Sequence, residues 1–427
     1  MVGAALSSFV LLLLSGAPIF LVLGIVAAIG FYYSGQPMIG LAQKIIDEIN
    51  SPTLVAVPMF VIAARIMESG GISRSLIAAA NSWVGHFRGG LAYVAVLTCA
   101  IFAAISGSSV ATAIAMAVIL VPAMNERGFP RSFTLGTIGA SGTLGMLIPP
   151  SLPMIVYAVI SDTSVPRLFM AGILPGLLQA TLIAAVVFVV ARRQDLPREP
   201  HCNPGELLHA NLRALPALSL PVIVLGGIYG GILTVSEAAG ISAVLAAVIA
   251  IIFYRQMKLS DLPGVIVASV YTSGSIIIIV AMAFALSHWI TETGLTRVIL
   301  RWVADSGMSA WQFLLVINIL LLLLGMFLES FAILLLTLPL LVPVISALGI
   351  DPVHFGIVMI VNMEIGLLTP PIGLNLFVLA NASESPVATV IKGIWPYMGA
   401  MVILLLLVTY VPAISTFLPD LLYGVSR

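Results

Sequence analysis

The stretch Gly145-Met146-Leu147-Ile148-Pro149-Pro150 lies deep inside an apolar segment, and Gly366-Leu367-Leu368-Thr369-Pro370-Pro371 follows its pattern at an offset of 221 residues. A helix cannot continue through a Pro-Pro pair, because two backbone donors are lost and the rings clash with the preceding turn. Each stretch is therefore a break inside a hydrophobic segment. The same offset, without a gap, places Leu120-Val121-Pro122 on Leu341-Val342-Pro343, Gly128 on Gly349 and Ser109 on Ser330. Leucine and valine matches carry little weight in so apolar a chain, but co-registered prolines and glycines fix backbone geometry. Upstream, at an offset of 224, Glu68-Ser69-Gly70 falls on Glu292-Thr293-Gly294. The chain reads as duplicated, over residues 4–165 and 229–390.

Composition identifies the solvent. Of 427 residues, 61% are hydrophobic and 8% charged, and apolar runs of about 20 residues, the length that crosses a hydrocarbon core as a helix, recur from end to end. The expected fold class is an all-α polytopic membrane protein. Cys99 and Cys202 are too few for a disulfide framework, and the five scattered histidines form no metal-binding set. The run from Val2 to Tyr33 lacks a basic leader and reads as a first transmembrane helix.

Arg192, Arg193, Arg198 and Arg213 mark the longest polar loop, and Arg255 and Lys258 mark another, so both belong in the cytoplasm. Counting from these anchors places the N-terminus in the cytoplasm and the C-terminus in the periplasm. Helices are expected near 3–33, 52–70, 131–160, 167–191, 214–233, 235–254, 262–290, 352–380 and 396–418. Segments 91–124 and 309–346 must each enter and leave on one side, as re-entrant hairpins. An odd number of crossings then separates equivalent helices, so the repeats are inverted, an architecture of secondary transporters. The expected divisions are first-repeat scaffold and interfacial arm (1–90), first hairpin and broken helix (91–165), linking helices (166–228), second-repeat scaffold and arm (229–308), second hairpin and broken helix (309–390) and C-terminal helix (391–427).

Polar residues at membrane depth point to a site, because irregular backbone in a bilayer persists only where protein or a water-filled cavity satisfies it. Each hairpin tip is expected to face the break of its own repeat. One cluster joins Ser106, Gly107, Ser108 and Ser109 to Gly142–Pro150; the other joins Gly325, Glu329 and Ser330 to Gly366–Pro370. Carbonyls freed by the breaks, with hydroxyls such as Thr143 and Thr369, suit a hard monovalent cation, and half-helix N-termini suit an anion. Two Na⁺ sites flanking an anionic substrate follow. The expected Na⁺ residues are Ser106, Gly107, Ser109, Thr143, Gly145, Pro149, Gly325, Glu329, Ser330, Gly366, Thr369 and Pro370. Ser108, Thr112, Pro150, Ser151 and Asn375 are assigned to the substrate. No basic residue stands out at midplane depth.

The run Gly139-Ala140-Ser141-Gly142-Thr143-Leu144-Gly145-Met146-Leu147-Ile148-Pro149-Pro150-Ser151, with Leu168-Phe169-Met170-Ala171-Gly172-Ile173-Leu174-Pro175-Gly176, resembles the large membrane subunit of tripartite ATP-independent periplasmic (TRAP) transporters. Gly366 to Asn375 matches too, and the resemblance spans essentially the whole chain. It implies an elevator-type, Na⁺-coupled symporter of organic acids in a bacterial inner membrane, with no enzymatic activity and no cofactor beyond the coupling ion. It also implies two separate partners, a small four-helix membrane subunit and a periplasmic substrate-binding protein. Membrane lipid is the remaining partner, and nothing points to nucleic acid. Sialic acid, ahead of a C4-dicarboxylate, is the expected substrate on overall resemblance alone. The family's fold further assigns 72–87 and 295–304 to amphipathic helices in the interface plane. Trp83 and Trp302 among Arg74, Arg88, Arg297 and Arg301 suit that position.

Other classes fit less well. Small residues at 106–109 also suit tight helix packing, and Glu364 also suits a structural hydrogen-bond acceptor. Asp162 and Arg167 are expected to be solvated in an outer loop. An intramembrane protease needs a base near its nucleophile, and a pump needs a nucleotide-binding motif; neither is present. The alternative is a stand-alone H⁺- or Na⁺-coupled anion transporter, with Glu329 and Glu364 as proton carriers, and an ion channel is weaker still.

Overall fold

A computed structural model describes residues 2–35 and 37–424, and all regular structure among them is helical. The two expected hairpins are present. Gly90–Ser106 turns at Gly107 (φ 62°) into Ser109–Glu126, and Ala310–Gly325 turns over Met326–Glu329 into Ser330–Ala347. The breaks follow. Arg131–Gly142 continues through the single turn Leu144–Leu147, stops at the prolines and resumes as Leu152–Ser161; Pro352–Leu367 stops likewise and resumes as Leu374–Ala382. Both Pro-Pro bonds, Pro149-Pro150 and Pro370-Pro371, are cis. Nine helical stretches are long and apolar enough to cross a membrane among the described residues. The amphipathic arms are Ile72–Val84 and Leu295–Asp305, and Trp83 and Trp302 are exposed on them.

The helices gather into two groups. Ile19–Tyr33, Ala56–Ser69, Val235–Val248 and Leu262–Glu292 pack on one another. Contact between the first and last is close, since a methyl on Gly30 would stand 2.4 Å from the Trp289 ring. In the second group the broken helices pack against the hairpins, Val165–Arg193 and Val387–Tyr410. There, Arg131–Gly142 crosses Val387–Tyr410 backbone to backbone. A Cβ on Gly136 would lie 2.0 Å from the Gly393 carbonyl, and one on Gly393 1.8 Å from that of Ser132. Small residues permit such approach where apolar lipid gives helices no hydrophobic drive to associate.

Three expected helices need correction, and one helix had no counterpart in the sequence reading. The helix expected over 3–33 is two, Val2–Leu14 and Ile19–Tyr33, because Gly16 adopts φ 74° and Pro18 opens the second. An amphipathic helix, Met38–Ile49, was not expected. The helix expected at 214–233 starts at Pro204, where Asn203 and Glu206 form a capping box. The segment 396–418 is Val387–Tyr410 followed by Ala413–Tyr423, divided at Val411-Pro412.

The polar loop after Arg193 is tied to the base of the first hairpin. Glu199 pairs with Arg127 at 2.6 Å and accepts from Asn81 at 2.6 Å, while Arg88 pairs with Asp195 at 3.1 Å. Arg167 is not simply solvated, since it pairs with Asp420 at 2.9 Å and anchors the last helix.

Candidate functional site

Glycine lets each hairpin tip touch the break of its own repeat through backbone. The Leu152 amide donates to the Gly107 carbonyl at 3.3 Å, and a Cβ on Gly145 would lie 2.6 Å from the Ser108 carbonyl oxygen. In the second repeat the amides of Ile372 and Gly373 donate to the Met326 carbonyl at 3.2 and 3.4 Å. Gly325 and Gly366 meet with no room for a side chain, an added Cβ on Gly366 standing 2.6 Å from the Gly325 Cα. Both expected backbone clusters therefore exist.

Side chains cross between the repeats. The Asn375 amide, just past the second break, donates to the Ser109 hydroxyl at the first tip. Ser330, which aligns on Ser109, donates to the Met146 sulfur at the first break, 3.8 Å away. Each of these two serines is thus held by the broken helix of the opposite repeat.

Several expected ligands are committed elsewhere. Thr143 donates to the Ala140 carbonyl and accepts from the Gln179 amide, both at 2.9 Å, beside the fully buried Glu364. The Glu364 carboxyl stands against the Gln179 amide and the Thr143 hydroxyl. Thr369 donates to the Ile365 carbonyl of its own helix at 2.6 Å. Ser106 and Thr112 lie 2.8 Å apart, and Thr112 donates to the Ser108 carbonyl at 2.8 Å. Ser151 accepts from the Met154 amide and caps the resumed helix. Of the residues assigned to substrate, Ser108 lines open space, whereas Thr112, Pro150, Ser151 and Asn375 are buried behind it. Pro149 is buried and Pro370 half-buried.

That open space is a cavity of about 540 Å³ between the two helix groups. Its walls include Ser106 and Ser108 of the first tip, Glu329 and Phe331 of the second, and Arg65, Glu68, Thr272 and Ser275 opposite. A recess of about 60 Å³ runs between the tips, past Ser109, Met146, Glu329 and Ser330. Glu329 lines the cavity and the recess, and its carboxyl stands at the N-terminal end of the helix Ser330–Ala347.

Sequence reasoning missed Arg65. It lies in the span Pro52–Ser69 and donates from Nη2 to the Thr272 hydroxyl at 2.9 Å. Thr272 is ten residues into its helix, and Arg65 is four residues from the end of its own. The reading that found no basic residue for the site thus overlooked a guanidinium that lines the cavity. The available signal was an arginine in an apolar span, where charge marks function by default.

Residues 6–414 match the family described as "Tripartite ATP-independent periplasmic transporter, DctM component". The chain is 44% identical to the C4-dicarboxylate TRAP transporter large permease protein DctM of Pseudomonas aeruginosa, over 91% of each chain. It is 37% identical to the isethionate TRAP transporter permease protein DctMQ of Oleidesulfovibrio alaskensis, over 96% of this chain and 65% of that one. With the sialic acid TRAP transporter large permease protein SiaM of Vibrio cholerae it shares 34% identity over 90% of each. Among solved structures, the YdaH transporter of Alcanivorax borkumensis superposes with a TM-score of 0.61 at 15% identity, over 86% of each chain.

Proposed function

The chain belongs to the DctM family of TRAP transporter large permeases, and from that premise we propose that it carries out Na⁺-coupled import of a C4-dicarboxylate in an elevator cycle. The observation that most favours this reading is the pair of matched tip-and-break clusters flanking one cavity. Each cluster offers carbonyls left over by a broken helix, the chemistry of a monovalent cation site. Na⁺ at the clusters orders the tips and completes the pocket, so ion and substrate affinities rise together. The hairpins, broken helices and Val387–Tyr410 form the mobile body, and the group containing Ala56–Ser69 and Leu262–Glu292 is the scaffold.

A C4-dicarboxylate is chosen over the expected sialic acid because the Pseudomonas relative, at 44%, bears that name and the sialic acid relative stands at 34%. The length of the DctMQ relative beyond this chain fits a joined small subunit, and the partners of this reading are such a small membrane subunit and a periplasmic binding protein. The setting is the bacterial inner membrane, with the basic loops and N-terminus in the cytoplasm.

The test is uptake of labelled succinate, sialic acid and isethionate into proteoliposomes holding the chain and its small subunit, with or without the binding protein, under a Na⁺ or H⁺ gradient. Succinate uptake that requires both Na⁺ and the binding protein supports the reading. Uptake driven by H⁺ alone, or indifferent to the binding protein, returns the chain to a stand-alone anion transporter.

A further inference from the structure

We infer that Arg65 is the scaffold's contact to a carboxylate of the transported anion, a reading that rests on the proposed import of an organic acid. The cavity between the two helix groups carries three charged side chains among its described lining residues: Arg65, Glu68 and Glu329. Arg65 is the cation among them. Desolvated charge in a transmembrane span is costly and is kept where it meets a partner or a substrate. Its one hydrogen bond here goes to a neutral hydroxyl on Thr272, and the Glu68 carboxyl, three residues on, lies within Coulombic reach without bonding it. That bond occupies one of five N–H donors, and a guanidinium fork matches a carboxylate in a two-point, charge-assisted geometry. The Ser106 and Ser108 tip and the Glu329 tip line the same cavity, so an anion seated among the tips lies between Arg65 and the two ion clusters.

Because Arg65 belongs to the static group, its grip lasts only while the mobile body is alongside. Thr272 takes the guanidinium back on release.

The experiment measures initial rates of labelled succinate uptake under a Na⁺ gradient, with the complete three-component system reconstituted, for wild type, Arg65→Gln and Arg65→Lys. In Arg65→Gln the half-saturating succinate concentration at saturating Na⁺ should rise by about tenfold or more, with Na⁺-dependent thermal stabilisation in the absence of succinate retained. Arg65→Lys, which keeps the charge and loses the fork, should fall between. A purely structural arginine would instead lower the maximal rate and the thermal stability at constant half-saturation. Half-saturation equal to wild type in whichever variant folds, judged by Na⁺-dependent thermal stabilisation, overturns the assignment. Wild type inactive toward every acid of the panel would defeat the import reading itself, an outcome separate from either variant's.

Discussion

Asn375, just past the second break, donates its side-chain amide to the hydroxyl of Ser109 at the tip of the first hairpin, 266 residues away. Both residues are buried, and the bond joins the two halves at Ser109, which lines the recess between the tips. Asn375→Ala leaves Ser109 with a lost buried partner, which should cost about 1–3 kcal/mol. Thermal unfolding in detergent should show the loss. Uptake should need more Na⁺, since the first tip is no longer braced. An unchanged midpoint and unchanged Na⁺ dependence would mean that the bond is idle.

Gly366→Ala places a methyl against the Gly325 backbone, where no side chain can swing aside. Overpacking of this kind costs about 1–3 kcal/mol. Transport should fall far more than stability, because the tip is displaced from its break. Gly349→Ala is the contrast: its surroundings are open, but its φ of 67° disfavours any side chain. It should lower stability modestly and leave the Na⁺ requirement alone.

Ser106→Ala and Thr369→Ala each remove one hydroxyl from a different cluster. Both should raise the Na⁺ concentration for half-maximal uptake. Thr369 already donates to Ile365, so only its lone pairs remain for an ion, and Thr369→Ser should restore wild-type behaviour. Half-maximal Na⁺ that stays put in both alanine variants would remove these oxygens from the ligand sets.

Glu329→Gln separates the two coupling schemes. In a Na⁺-driven cycle the variant should retain part of its uptake, at a higher Na⁺ requirement. If H⁺ were the driving ion, uptake would vanish and acidification would not rescue it. The comparison needs the two gradients imposed separately in proteoliposomes.

How far the sequence carried the reading depended on the residue type. Prolines and glycines restrict the backbone wherever they stand, so Pro149-Pro150, Pro370-Pro371 and Gly107 announced breaks and a turn that the structure contains. Ser15-Gly16-Ala17-Pro18 went unread because apolar residues flank it on both sides, and hydropathy averaged over a span cannot register a four-residue interruption. Arg65 was passed over for another reason. Which neighbours a helical side chain meets depends on helix rotation and packing, and only the assembled cavity shows it beside Thr272. The Ser109–Asn375 bond was equally hidden, because the offset of 221 pairs equivalent positions and says nothing about contacts between unlike ones.

The meeting of Gly325 with Gly366 involves main chain alone. Atoms common to every residue hold that junction, so altered side chains on the opposite cavity wall need not disturb it. Under the proposed cycle, that main-chain junction and the wall bearing Arg65 can change independently of each other. Under that cycle, substitutions around Arg65, Glu68 and Ser275 would reshape the cavity and leave the Gly325–Gly366 junction in place.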